Sequence, residues 1–371
     1  MSKLFRSLDW LIVLPVSILS IMSVITLFGF NMSNIPMVSQ FLITKHIISI
    51  VLGFVFAIII SQIDYRSFTT LVQPLFFTII GFLILVLIFG NRVNGAKSWI
   101  DIGYFNFQPA EFAKAVVVII IAQYFSRYHH KLNSFGYIIL SLIPVLAIIF
   151  FILLQPDFGS AIIVILVWLG MLIFGGVRIK HIWILGFIGI LIFISLWLWG
   201  FKDYQKDRIL TFLNPTTDPL GSGYNSVQSV KSVISGGITG VRDQVVAVPE
   251  IHTDFIFSGF AQQWGLLGIS IYFIIIILMI SRMIYIALNS QDSFPKMIVL
   301  GVILCVVVQL TINVGMNLGI MPITGVPLPF MSYGGSSMVL YWILIGFILS
   351  VKNYQLSKGT IFMKDPQDIF V

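Results

Sequence analysis

The residues best suited to do chemistry lie in the stretch PEIHTDFIFSGF, residues 249–260, where Glu250, His252 and Asp254 alternate just before the chain turns apolar. The whole sequence of 371 residues holds only two glutamates, so Glu250 is a rare choice. A carboxylate at the border between water and apolar packing is the kind of group that desolvation tunes for general-base work near neutral pH. Asp254 stands at that border, followed at once by Phe255, and is the candidate base. His252 is a second candidate beside it. The plainer alternatives are a surface histidine and a helix-capping aspartate. The spacing matches no zinc-ligand pattern, and no metal ligand is assigned.

Four further stretches combine polar residues with unusual backbone. In FQPAEFAK (107–114), Gln108 precedes Pro109, which suits the first turn of a helix because its missing N–H costs nothing there. Glu111 and Lys114, three apart, share a helix face. They read as a charged pair lining a cavity at membrane depth, where ionisable groups are costly and mark sites. The alternative is a helix-start carboxylate with a neutralising neighbour. LLQPDFGSA (153–161) repeats the Gln-Pro-x-acid theme, with Asp157 as a helix cap or a substrate contact. MNLGIMPITGVPLPFMSYGGSS (316–337) carries three prolines and four glycines between two apolar runs. Such backbone is tolerated near a membrane where it packs in protein or lines a wet cavity. Ser336 then opens the last helix, whose free N–H groups can hold an anion. Finally, YQKDRILTFL (204–213) sets Lys206 and Arg208 beside Ile209, Leu210, Phe212 and Leu213. This is either a helix lying on the membrane surface or an arginine fork for a phosphate.

The elements that must hold these residues follow from composition. The chain is 58% hydrophobic and 9% charged, with a mean hydropathy of +1.03. A soluble domain has about 25% charged residues, so the solvent here is lipid. A membrane-crossing helix needs about 20 apolar residues. Ten such runs occur, near 10–30, 47–63, 69–90, 109–125, 136–154, 159–176, 182–200, 265–288, 297–318 and 335–352. The expected fold is an all-α polytopic integral membrane protein forming one domain, 1–371. Its one large extracytoplasmic loop, 201–263, lies between spans 7 and 8.

With the N-terminus in the cytoplasm, inner segments collect twelve of the 21 basic residues, and short outer segments only Lys45, Arg92, Lys97 and Lys114. The positive-inside rule then puts both termini inside. Glu111, Asp157, Glu250 and Asp254 fall on the outer face, where the chemistry is expected. The net charge of +7 is thus a matter of topology, and no nucleic-acid partner is called for. No phosphate-binding loop of the G-x-x-x-x-G-K-[ST] type occurs, so energy comes from a gradient, a partner or an activated substrate. The single cysteine, Cys305, can form no intrachain disulfide.

Taken together, NGAKSW (94–99), FQPAEFAK, LLQPDFGSA, YQKDRILTFLNP, DPLGSGYNSVQS (218–229), HTDFIF (252–257) and NVGMNLGIMPITGVPLPFMSYGGSS (313–337) resemble the SEDS family of bacterial envelope proteins (shape, elongation, division and sporulation). The match spans nearly the whole chain, and GIMPITGVPLPF is closer to the elongation branch than to the division branch. The resemblance implies an inner-membrane peptidoglycan glycosyltransferase that polymerises lipid II during cell elongation. Its catalytic aspartate falls on Asp254, which takes a proton from the acceptor sugar as undecaprenyl diphosphate leaves with inversion at the donor. Arg208, Lys114 and Lys97 are the cations available to the diphosphate, in that order for the first two. Gln108, Glu111, Asp157, His252 and Ser336 are cavity-lining candidates. The resemblance requires no cofactor and leaves room for a divalent cation, Mg or Mn. Implied partners are a class B penicillin-binding protein transpeptidase and an elongation complex with MreB-type components.

The chain departs from the family pattern at Gln262-Gln263, where two glutamates are common, at Gly240-Val241-Arg242, where GKG is common, and at SVISGG (232–237), where AIGSGG is usual. An acid-based metal role at 262 or 263 is excluded. Two rival functions stand beside the enzyme: a lipid II flippase, which would use broken backbone and buried charges for alternating access, and a non-enzymatic scaffold, which would tolerate Asp254→Asn.

Overall fold

The computed structural model describes residues 8–32, 38–93, 96–103, 105–201, 203–214, 222–241, 246 and 248–361. Ten apolar helices occupy the places of the ten expected spans. They are α1 (Trp10–Met32), α2 (Gln40–Ser61), α3 (Ser67–Phe89), α4 (Pro109–Tyr128), α5 (Phe135–Leu154), α6 (Phe158–Phe174), α7 (Ile179–Ser195), α10 (Ile256–Leu288), α11 (Ser293–Asn317) and α12 (Gly335–Ile361). Among the described residues nine are long and apolar enough to cross a membrane. The tenth, α6, has 17 residues and rises about 25 Å, at the lower end of the spanning range. Two short helices, α8 (Asp203–Leu213) and α9 (Ser222–Ser235), lie in the long connection after α7.

Three expectations shift. The second helix begins at Gln40, not near 47, because Ser39 caps it by accepting from the Leu42 N–H, and the Lys45 ammonium lies over the Phe41 ring. The α10 helix begins at Ile256 rather than near 265, so the last residues of the supposed loop 201–263 are helical. It kinks at Gly265, whose φ of 63° suits only glycine. The N–H groups freed there bond outward: Leu266 and Leu267 donate to Gly237 and Ile238, while Val241 donates to Gln262. A small antiparallel sheet, β1 (Asn91–Val93), β2 (Ala96–Ile102) and β3 (Phe105–Phe107), joins α3 to α4 and is the one strand structure described in an otherwise helical chain.

At the centre stand α4 and α12, buried along most of their length. Lipid tails are as apolar as leucine, so helix association here rests on close packing rather than escape from water. Against α12, α2 presents Gly53 to Trp342, and Ala57 faces Gly346 so closely that a Cβ on either glycine would sit at 2.9–3.0 Å from its neighbour. The α7 helix is the opposite case. Only His181 along it is buried, and Trp183 is 75% exposed. The rest of the described chain leaves nearly every side of it uncovered.

Candidate active site

The site is built on one stripe of α11. Gln309, Asn313 and Asn317, at i, i+4 and i+8, share a face and are fully buried. An amide buried in an apolar bundle must find partners, and these find theirs in the irregular segments. Asn313 donates to Asp254 O at 2.9 Å and to Val326 O at 2.7 Å. Asn317 donates to Asp254 O at 3.0 Å, and its Oδ1 accepts the Ser258 N–H, one of the open donors in the first turn of α10. Gln309 donates to Pro327 O at 2.9 Å.

The turn that bears Asp254 is held from outside at three successive carbonyls. His252 O accepts from the Tyr333 N–H at 2.9 Å, Thr253 O from Ser332 Oγ at 2.6 Å, and Asp254 O from the two asparagines. Inside the turn, Glu250 adopts φ 55°, a strained left-handed conformation for a side-chain-bearing residue. Its carbonyl receives the N–H groups of Thr253 and Phe255, and its carboxylate accepts from Thr253 Oγ1. Backbone fixed on all sides presents the half-buried Asp254 carboxylate at the N-terminal end of α10, where the helix dipole favours negative charge. Beside it lies Gly325 (φ 71°), whose absent Cβ would be 3.4 Å from Asp254 Oδ2.

The same loop links Asp254 to a second group. Residues Thr324 and Val326 pack on Gly159 in the first turn of α6, so tightly that a Cβ there would sit 2.7 Å from Thr324 O. Asp157 caps that helix, accepting from Ser160 N at 3.0 Å and Ser160 Oγ at 2.8 Å. It also accepts from Gln108 Nε2 at 2.9 Å. The Gln108 N–H in turn donates to Ser336 Oγ at 2.8 Å, and Ser336 donates to Asn106 O at 2.7 Å. Gln108, Asp157 and Ser336 therefore draw the N-termini of α4, α6 and α12 together, with carboxylates already at the first two, Glu111 in the first turn of α4 and Asp157 capping α6.

Glu111 and Lys114 form a pair at 2.6 Å with both side chains out of contact with solvent. Lys114 also donates to Gln309 Oε1 at 2.7 Å, which ties the pair to the α11 stripe. Lys97 is engaged elsewhere: its ammonium donates to Leu87 O and Ile88 O, both at 2.8 Å, and so caps the last turn of α3. Arg208 falls on α8, its side chain outside the described residues. His252 lies half-buried against the Tyr333 ring, centroids 5.7 Å apart. Burial pushes its imidazole below the usual range, against a smaller upward pull from Glu250. Tyr333 also meets His46 of α2 at 5.9 Å.

Gln262 and Gln263, the departures from acidic residues, are structural ties. Gln262 joins Ser232, Ser235 and the Val246 N–H, and Gln263 donates to Thr26 O. A neutral amide serves there without the cost of burying a charge. Among the described residues no three His, Cys, Asp or Glu side chains come together to hold a metal ion. The residues that sequence reasoning passed over are Gln309, Asn313, Asn317, Ser332 and Tyr333. The signal of the three amides was present in QLTINVGMN, where they recur every fourth position in an apolar helix.

Comparison with known proteins gives a consistent picture. The sequence model of the FtsW/RodA/SpoVE group, described as cell cycle proteins, matches residues 6–357. The stage V sporulation protein E of Bacillus subtilis is 34% identical over 82% of this chain and 84% of its own. The peptidoglycan glycosyltransferase MrdB of Escherichia coli K12 is 34% identical over 84% and 86%. Among solved structures, a chain from work on the coordination of polymerization and crosslinking by a peptidoglycan synthase complex superposes with a TM-score of 0.81. It shares 27% identity and covers 94% of this chain and 98% of its own. The rod shape determining protein RodA of Thermus thermophilus shares the fold, with a TM-score of 0.68 at 23% identity over 92% and 96%.

Proposed function

This chain belongs to the FtsW/RodA/SpoVE family, the SEDS proteins, and from that premise we propose that Asp254 is the general base of the peptidoglycan glycosyltransferase activity it shares with them. The observation that carries the assignment is the pinning of the carbonyls of His252, Thr253 and Asp254 by three separate groups. That rigidity keeps one carboxylate in a fixed place at the mouth of the helix bundle, as proton transfer requires.

In this reading the substrate is lipid II. Asp254 takes the proton of the acceptor sugar's 4-hydroxyl as that oxygen bonds to the donor's anomeric carbon. The bond from that carbon to the lipid diphosphate breaks, and the diphosphate departs with the electron pair. A single displacement inverts the α-linked donor to a β-linked strand. The leaving group carries the activation, which accounts for a chain with no nucleotide-binding loop. Negative charge grows on the diphosphate, where the N–H groups that open α12 at Ser336 offer preorganised stabilisation. Arg208 is the cation assigned to it. Lys114, already bonded to Glu111 and Gln309, acts as a positioning residue beneath the loop at 324–327. The site faces outward with both termini inside, as the basic residues indicate, and a penicillin-binding transpeptidase is the partner that cross-links the product.

The test is polymerisation of labelled lipid II by purified protein with its transpeptidase partner, the glycan strands resolved on a gel. Wild type is expected to make polymer, and Asp254→Asn, folded and partner-bound, to make none. Equal polymer from both would move the base to another carboxylate. No polymer from either, with partner bound, would favour a lipid-translocating role.

A further inference from the structure

A cavity of about 320 Å³ opens on the membrane-facing side of α3, α4 and α5, lined by Val72, Gln73, Phe76, Phe77, Ile120 and Pro144. It is far from Asp254 along the chain direction: α4 begins at the active site with Pro109, and Ile120 lies three turns further on. Its size falls in the range of small-molecule sites, and five of its six lining residues are apolar. The sixth, Gln73, presents an exposed carboxamide at a depth where water cannot satisfy it.

Beyond the cavity, toward the ends of the same helices, the character changes. Arg127 lies over the Tyr128 ring at 5.6 Å and Lys131 over the Tyr137 ring at 5.4 Å. The two rings touch, centroids 5.5 Å apart, and Tyr124 locks them by donating to Tyr137 O. Arg127 and Lys131 are exposed, and among the described residues neither forms an ion pair. No acidic residue occurs anywhere between Glu111 and Asp157. Just before α3, Arg66 stands at the same level, its charge shared with Asp64 at 3.8 Å.

The vertical spacing agrees on all three helices. At 1.5 Å per residue, Val72 lies about 9 Å inside Arg66, Ile120 about 10 Å inside Arg127, and Pro144 about 10 Å inside Tyr137. One leaflet's hydrocarbon is about 15 Å deep. The cavity therefore sits where an acyl chain runs, and the basic and aromatic rim where its phosphate lies.

We infer that this face binds one anionic glycerophospholipid, with an acyl chain against Ile120 and Pro144, an ester oxygen accepting from Gln73, and the phosphate on Arg127 and Lys131. The inference does not depend on the assignment of Asp254. Only the leaflet concerned, the cytoplasmic one, rests on the outward placement of the active site.

The experiment strips co-purified lipid from the full-length protein, adds phosphatidylglycerol or phosphatidylcholine of the same chains, and counts retained lipid by native mass spectrometry. Phosphatidylglycerol is expected to be held about thirtyfold more tightly, at roughly 1 kcal/mol for each basic side chain near the phosphate. Arg127→Gln combined with Lys131→Gln should bring the two lipids level, and Val72→Trp, which fills the cavity, should release both. Equal retention of the two lipids by wild type would overturn the proposal. So would glycerol phosphate competing as well as the whole lipid, or a protein partner cross-linking at Phe77 in place of lipid. If Val72→Trp unfolds, the charge variant decides alone, because its exposed substitutions leave the core intact.

Discussion

Lys114→Met leaves the Glu111 carboxylate in an apolar interior without its cation. Breaking a buried pair in this way costs roughly 3–5 kcal/mol, so a fall in the unfolding temperature in detergent is expected. The double change Glu111→Gln with Lys114→Met should recover most of it, because no charge is then stranded. Polymer synthesis should stay low in the double variant, since Gln309 and the loop it orients have lost their anchor. A double variant with wild-type rate would reduce the pair to bundle stability alone. His252 behaves differently because it titrates. Its pKa is held below the usual value of about 6.5 by burial, so below that pH the folded state binds fewer protons than the unfolded one. Stability that is intact above pH 6.5 is therefore lost as pH falls beneath it. Unfolding temperatures measured between pH 7.5 and 5.5 should decline in wild type and decline less in His252→Gln.

At the level of elements, the asparagines of α11 connect a regular helix to two irregular segments, the turn at Asp254 and the loop at Val326. Asn313→Asp replaces a donor by an acceptor facing the carbonyls of Asp254 and Val326, which turns two attractions into repulsions. A fall in kcat well beyond any change in KM is expected, since the base is displaced while the distant lipid contacts persist. Gly265→Ala tests the kink: its Cβ would meet Gly240 N at 2.4 Å at a φ of 63°, and the loop at 237–241 would have to detach. Loss of stability measured by thermal unfolding is the expected result. The sequence made much of this legible. Hydrophobic runs located every long helix, because a membrane allows few alternatives to an apolar helix. The boundaries at Gln40 and Ile256 were not legible, because Lys45, His46 and Gln262-Gln263 look like loop residues until their partners are known. Asp157 reads equally well as cap or ligand; the structure shows its capping bond to Ser160 N and a further bond from Gln108, a partner 49 residues away that no local pattern reveals. Lys97 read as a phosphate cation, yet the carbonyls that engage it belong to a helix eight residues upstream, a pairing no spacing rule reveals.

The molecule as a whole grades from a packed axis to a loose edge. Most of the described side chains of α12 and α4 are buried against protein, and the site hangs from that axis through Ser336, Gln108, Glu111 and Lys114. The multi-pass architecture was readable from composition alone. Composition supplied the order of packing only in part: the central α4 and α12 are the least apolar of the long helices, but the buried α11 and the exposed α7 are about equally apolar. That difference has a consequence for inheritance. A helix bathed in lipid is constrained only to stay apolar and long enough, so α7 is free to drift: leucine, isoleucine, valine and phenylalanine should interchange there at little cost. Lineages descending from one ancestor would then disagree most about the spelling of this helix while agreeing on its length, and a library of scrambled α7 sequences should support growth where the same scrambling of α12 does not.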